Sequence, residues 1–581
     1  MKTKVDYLLV SLYSMVTIIV IGVVIWAASF GFEYSDESFY YLGYKYFSNT
    51  PNLHGAPFHR VLHSIFGWFD PSIYLLRISR LTLYVFTGFG LFYFIRKEQL
   101  SKHYLIENLT LICVILMGLF VSYSKGPQSI SYNSLSTILI IWISGIWYNS
   151  LKSQGEIIKL FQLIVIGGMF ALLLFIKITN LLLFPILFIG SAIWLRLHPT
   201  KRPGLKSIVL QLIVMGSGAL LILFLLTSES QSAFSLVQET ISSVFSKTSN
   251  NSGHSLGDIG DKYWTNLEQV WSRIDYLFLL IIALFIICKS YQSFIKNAIS
   301  HYLPSIFIGV TMTLLLWLGY VDQHWLAGTT RKYQILDAYI LLWLIVYLHQ
   351  FLIKNRPPQL WLFGLLLLPV CGAIGTNNGL SSQFLYYGAF IFFGIWWMIN
   401  STEHRWKKHL VISYLILFSA SQVITGIISD PYRQLDLRES QQSIDLQACI
   451  GPIKVDPFTY ELFEKLISYR QTPEEYVFTF SHQSGIALLL DKKPFSLQWI
   501  NSGNSIDLCF ATARNGIEAD NLLFAVPTEY PLSKEDKQCF LENRIDFNEY
   551  EVVDVIDYYD FVRKQKQHLE ILRHSDNNPP R

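Results

Sequence analysis

In the stretch "FEYSDESFYY" (Phe32–Tyr41) two carboxylates, Asp36 and Glu37, stand side by side among aromatic residues, just after a long apolar run. A carboxylate held beside a reacting atom takes the proton of an attacking hydroxyl; left in water it is an ordinary acid at a helix end. The following residues favour chemistry, because they add His54, His59, Arg60 and His63 and then "LRISR", with Arg77 and Arg80. Further cations occupy comparable places: Lys125 in "SYSKGPQSISYNS", Lys177 in "LLLFIKITNLLLFP", and Arg331 and Lys332 after "DQHWLAGTT". Charge at membrane depth is expensive and is usually paired or functional, although a lone lysine such as Lys177 also snorkels to the interface.

Carboxylates beside several cations suit the transfer of a sugar from a polyprenyl phosphate. The phosphate is a stable leaving group, so no strong general acid is needed. Cations are needed to stabilise its developing charge, arginine being suited to bidentate contact. One carboxylate is needed to receive the acceptor's proton. Asp322 and His324, in "YVDQHWLAGTTRKYQ", form a pair that either contacts acceptor or donor phosphate or is simply solvated. His59 and His63, four apart, have the spacing of metal ligands on one helix face. No carboxylate partner accompanies them, and the polar contacts of an interfacial helix are the simpler reading. No metal ligand is assigned, and a divalent metal stays open.

The elements that must position these groups are membrane helices. Of 581 residues, 52% are hydrophobic and only 15% charged, well below the charge of a soluble domain. Runs long enough to cross a hydrocarbon core predict about thirteen helices, near 7–29, 75–95, 105–122, 132–148, 160–177, 181–196, 208–227, 275–289, 304–320, 335–353, 359–374, 384–399 and 409–427. The first doubles as the targeting signal, since its apolar part is too long for a cleaved leader. Lysine and arginine fill the alternate loops, beginning with Lys2 and Lys4 and then Arg96, Lys97 and Lys102. The rule that such loops are cytoplasmic puts the N-terminus inside and the long loops 30–74 and 228–274 outside. An odd number of spans leaves the C-terminal part outside as well.

Residues 1–428 thus read as a polytopic α-helical membrane domain, and 429–581 as a soluble extracytoplasmic α/β domain. In the latter, "PFTYELFEKLISYR" and "SKEDKQCFLENR" read as helices, and "EYVFTF" and "NLLFAV" as strands. Cys449, Cys509 and Cys539 lie in this outer part, where one disulfide is permitted and one cysteine is left over; spacing does not choose the pair. "GAPFHRVLHSIFGWF" (Gly55–Phe69) reads as an amphipathic helix in the membrane interface. A net charge of +3 gives no reason to expect nucleic acid.

An acidic pair after the first helix in "YSDESFYY", then an amphipathic segment, then "LLRISRLTLYVFTGFGLFYFIRK", resembles the start of a GT-C glycosyltransferase, of the branch of the protein O-mannosyltransferases and the bacterial aminoarabinose transferases of lipid A. The hairpin "FIKITNLLLFP" is similar to the helix pair that follows in those enzymes. The resemblance is strongest over residues 1 to 200. It implies an enzyme of the bacterial inner membrane using a polyprenyl-phosphate-linked sugar, with a lipid, glycan or protein acceptor. It implies Asp36 as the base, with Glu37 fixing geometry or helping to bind a metal. "SYSKGPQSISYNS" holds no acid, so a second acidic motif is missing there. The rival readings are a transporter or flippase of lipid-linked glycans, a glycan polymerase or ligase, and a membrane scaffold whose outer domain does the binding.

Overall fold

The computed structural model describes residues 2–47, 57–68, 72–99, 105–124, 126–152, 156–197, 205–227, 334–348, 380–400, 405–446, 452–496, 500, 508–509, 512 and 516–577, with isolated helical positions between 237 and 372. Lys125, Asp322, His324, Arg331, Lys332, His54 and Cys449 lie outside the described residues, as do most of the loop 228–274 and of the helices expected at 275–289, 304–320 and 359–374.

The membrane part is built from α1 (Lys2–Ala27), α4 (Ile73–Gln99), α5 (Leu105–Phe120), α6 (Tyr132–Lys152), α7 (Glu156–Lys177), α8 (Leu183–Leu197), α9 (Leu205–Leu226), α10 (Gln334–Leu348), α11 (Leu380–Tyr386), α12 (Gly388–Asn400) and α13 (Arg405–Ile428). Two short helices, α2 (Asp36–Lys45) and α3 (Pro57–Phe66), fill the loop between α1 and α4. Among the described residues, seven helices are long and apolar enough to cross a membrane, and Tyr339–Leu348 and Gly388–Asn400 are shorter apolar helices. The protein is therefore a multi-pass membrane protein; its total number of spans lies partly in residues outside the description. The split of the hairpin after α7 holds, with a 3-10 turn at Ile178–Leu182. Packing between α7 and α9 is close enough to demand glycine: a Cβ at Gly167 would stand 1.9 Å from the Met215 carbonyl, and one at Gly218 2.0 Å from that of Ile164. Small residues that let backbones approach are how helices associate where lipid removes the hydrophobic drive.

α1 and α13 run parallel. At one end the Asp6 carboxylate meets His409 at 2.9 Å. Midway the Tyr13 hydroxyl reaches Ser413 at 2.9 Å. At the other end the chain leaving α1 pairs with the C-terminal part, Phe30 bridging to Lys454 and the Gly31 amide donating to the Lys454 carbonyl at 2.7 Å. The loop after α1 and the C-terminal part therefore lie on one side of the bundle.

The C-terminal part carries β1 (Gln442–Ile444) paired with β2 (Ile453–Val455), and a five-stranded sheet of β3 (Tyr476–Phe478), β4 (Lys493–Pro494), β5 (Leu522–Pro527), β6 (Tyr550–Asp560) and β7 (Gln565–His574). The sheet order is β4-β3-β5-β7-β6, parallel on the β3 side and antiparallel on the β7 side. The unbroken apolar run of β5 fits its fully buried central place. Helix α14 (Pro457–Leu466) starts where Asp456 accepts the Phe458 and Thr459 amides, with proline at its first turn. The helix expected in "SKEDKQCFLENR" is α16 (Lys534–Leu541), opened by a capping box of Ser533 and Asp536, while α15 (Gly485–Leu489) meets the loop after α1, its Gly485 amide donating to the Tyr34 carbonyl at 2.6 Å. Both expected strands are present; the longer β6–β7 hairpin is an addition to that reading.

Cys509 is bonded to Cys539, which settles the pairing that spacing leaves open. A crosslink across 30 residues removes unfolded-state freedom worth about 3–4 kcal/mol in the chain-entropy treatment. Cys509→Ser is therefore expected to lower the unfolding temperature of the C-terminal part, read by thermal proteolysis of sites after residue 430, without moving that of the helices.

Candidate active site

Asp36 and Glu37 open α2 and have opposite surroundings. Glu37 is buried, its carboxylate gripped by Arg77, with Nε at 2.8 Å from Oε1 and Nη2 at 2.5 Å from Oε2. The remaining donors of Arg77 go to the carbonyls of Ala28, Phe30 and Gly31 at 3.0, 2.7 and 2.9 Å. Arg77 thus spends its donors on Glu37 and on backbone carbonyls, and Glu37 is its counter-ion, where the sequence reading expects an outward phosphate ligand and a second acid at the chemistry. Asp36 is different: its side chain keeps 18% exposure. It accepts from the Tyr432 hydroxyl at 2.7 Å and pairs with Arg433 at 3.2 Å. Burial first, and then the Asp36 charge, hold the Tyr432 hydroxyl well above its ordinary value, so it stays a donor.

The turn that sets Asp36 rests on Glu33. Its Oε1 accepts the Ser35 amide at 3.0 Å and the Ser35 hydroxyl, and its Oε2 accepts the Glu37 amide at 2.6 Å. These are orphan amides of a helix start, and Ser35, at the capping position, does not satisfy them itself. Arg433 also donates to the Ser35 hydroxyl, so a single guanidinium holds both Ser35 and Asp36. Its own backbone is left-handed, with φ of 52°, a strain that persists only where surroundings impose it. Gly31, at φ +73°, has no room for a side chain: a Cβ would stand 1.8 Å from Gln434 Oε1.

Beyond Asp36 a line of rings leads into the bundle. Tyr40 lies 6.2 Å from Tyr132, edge to face, and the Lys177 ammonium stands 5.8 Å from the Tyr132 ring. Lys177 is buried and donates to Asn133 Oδ1 at 3.2 Å, to Gln383 Oε1 at 3.3 Å and to the Gly372 carbonyl. All three partners are neutral, so the ammonium meets no carboxylate among the described residues. Arg80, also buried, is caged by Tyr84, Tyr123 and Tyr386 at 5.0, 4.0 and 5.8 Å and bonds Ser122 at 2.7 Å and the Pro127 carbonyl. The structure thus brings Asp36, Lys177 and Arg80 to one side of the bundle around Tyr40, Tyr132 and Tyr386.

The other expected ligands fare differently. Arg60 donates to the Leu226 carbonyl at 3.0 Å and lies over Phe47, tying α3 to α9. His59 is buried among Phe39, Tyr40 and Phe58, and burial lowers its basicity to about 3, leaving it a neutral ring. His63 uses Nδ1 on the Tyr44 carbonyl at 2.7 Å. The two histidines therefore do not form the paired metal face that their spacing allowed. Among the described residues no three His, Cys, Asp or Glu side chains form a metal-binding group.

No family model and no curated protein matches this chain. Among solved structures it is similar to an oligosaccharyltransferase of Archaeoglobus fulgidus in complex with Zn and sulfate, at 11% identity and a TM-score of 0.45, over 95% of this chain and 72% of that one. It is likewise similar to the archaeal oligosaccharyltransferase AglB from Archaeoglobus fulgidus in complex with an inhibitory peptide and a dolichol-phosphate, at 10% identity and a TM-score of 0.46, over 89% and 69%.

Glu33, Tyr432 and Arg433 are functional candidates that the sequence reading missed. Arg433, in "SDPYRQ" directly after the last helix, is a cation on the same side as Arg77 and Arg80 and was open to the same argument. Nothing in the sequence separates Glu33 from a loop acid; its burial comes with contacts from the C-terminal part.

Proposed function

We propose that the chain is a GT-C-type glycosyltransferase of the bacterial inner membrane that moves a sugar from a polyprenyl phosphate to an acceptor hydroxyl, with Asp36 as the base. The observation that supports this reading is the placing of a partly exposed carboxylate, Asp36, and a buried amine, Lys177, whose partners among the described residues are all neutral, on either side of Tyr40 and Tyr132. In the reaction the acceptor oxygen bonds the sugar's anomeric carbon while the bond from that carbon to the phosphate oxygen breaks. The acceptor proton goes to Asp36, and the electron pair leaves with the phosphate. Lys177 and Arg80 are the cations placed to receive that charge, which low-dielectric surroundings make more effective than in water. The C-terminal part closes over α2, and the acceptor enters from its side.

Transfer is tested with purified protein in nanodiscs, tritiated undecaprenyl-phosphate hexoses, and lipid, glycan and peptide acceptors. Label is expected to leave the lipid and appear on one acceptor class. Lys177→Met is expected to raise the donor KM by ~10-fold or more, since a hydrogen bond to a charged group contributes about 1.5–3 kcal/mol. Label crossing the bilayer with its lipid linkage intact would replace this reading with transport.

A further inference from the structure

We propose that Glu33 is a positioning residue for Asp36, its ionised carboxylate holding the first turn of α2 in the orientation that aims Asp36 at the acceptor. This rests on the reading of Asp36 as the base. Three donors converge on Glu33, namely the Ser35 amide, the Ser35 hydroxyl and the Glu37 amide. A carboxylate is an acceptor at both oxygens. A proton on either oxygen places a donor among donors, and at least one of these contacts has to be remade. The Ser38 hydroxyl adds a bond to the Glu33 carbonyl at 2.5 Å, so the backbone of the residue is fixed as well.

The device is tuned by what surrounds it. Asp36 lies three residues on, and Arg433 and Tyr432 face Glu33 from the segment after α13. His482, Tyr558, Tyr559 and Asp560 line the same small pocket from the C-terminal part. Burial and the Asp36 charge push the Glu33 acid up to about 7, against the pull of Arg433 and of the hydrogen bonds from the Ser35 hydroxyl and the Glu37 amide. The sign follows directly. The acid keeps its proton as pH falls below about 7, so the cap is intact on the alkaline side and is lost on the acid side. Stability has the opposite slope: a buried acid whose proton is held more tightly in the folded state than in the unfolded chain makes folding less favourable as pH rises through that interval. Activity and stability are therefore expected to move in opposite directions between pH 4.5 and about 7.

Two measurements test this. The first is hydrogen exchange of the peptide spanning residues 34–40 in nanodiscs, corrected for the intrinsic pH dependence of exchange, which needs no substrate. In the native protein, protection of the Ser35 and Glu37 amides is expected to fall as pH drops below about 7, and in Glu33→Gln to be low and independent of pH. Protection that does not change with pH in the native protein overturns the proposal, even if the variant does not fold. The second is the pH profile of transfer with the undecaprenyl-phosphate hexose panel. Glu33→Gln is expected to lower kcat by ~10- to 100-fold, a loss of the size that misplaced groups produce, with KM unchanged and the acid limb removed. An acid limb whose midpoint is the same in Glu33→Gln as in the native protein is not set by Glu33 and overturns it. Wild-type transfer by Asp36→Asn would instead sink the reading of Asp36 as the base, and the exchange arm then still decides whether Glu33 holds the turn.

Discussion

Asp36→Asn is expected to lower kcat for sugar transfer by ~10²- to 10⁴-fold, the usual loss when a positioned base is removed, and to leave the donor KM nearly unchanged. Asparagine has the same shape, and its carbonyl oxygen still accepts from either Tyr432 or Arg433, which bond the two oxygens of Asp36 at 2.7 and 3.2 Å. What it lacks is an oxygen that binds the acceptor proton. Because donor phosphate contacts are assigned to Lys177 and Arg80, ground-state binding is not touched, and the change falls on the step where the proton moves. Single-turnover transfer from a tritiated undecaprenyl-phosphate hexose, followed at saturating donor, separates that step from binding and release. Full activity in this variant would mean that Asp36 only anchors Arg433.

The contrast between the two acids shows where sequence reasoning reaches its limit. The apolar helices were legible because bilayer thickness fixes their length, and α1, α4–α9, α10, α12 and α13 begin and end within a few residues of the hydropathy runs. The acidic pair was legible as a site because charge on that side of the bundle needs a partner. Which partner was not legible. Glu37 is 40 residues from Arg77, but Asp36 is 397 from Arg433, and no local pattern reports a contact made by closing the C-terminal part onto the membrane. The same closure hides Glu33, whose neighbours include Arg433 and Gln483. β6 and β7 escaped notice for a local reason: a bulge between Val552 and Asp554 breaks the alternation of β6, and most of its first half is exposed.

Arg77→Met is expected to be the most destabilising single change on the domain side, costing about 3–5 kcal/mol, because it leaves a buried carboxylate without its counter-ion. The loss reaches further than Glu37, since the carbonyls of Ala28, Phe30 and Gly31 also give up their donor. Those carbonyls flank the strand-like bridge from Phe30 to Lys454, so loosening them weakens one of the ties between the C-terminal part and the bundle. Thermal unfolding in detergent, with proteolysis of the segment after α13 as a second reading, measures both effects. The informative partner is Glu37→Gln combined with Arg77→Met. Removing both charges together avoids the uncompensated ion, and such paired replacements are often close to neutral. The double variant is expected to recover most of the lost stability and to transfer sugar at a rate within about tenfold of the native protein, the ordinary cost of a slightly displaced group. A double variant that folds but transfers as poorly as Asp36→Asn would return Glu37 to the chemistry. Retained transfer fixes it as the clasp that lets its neighbour work.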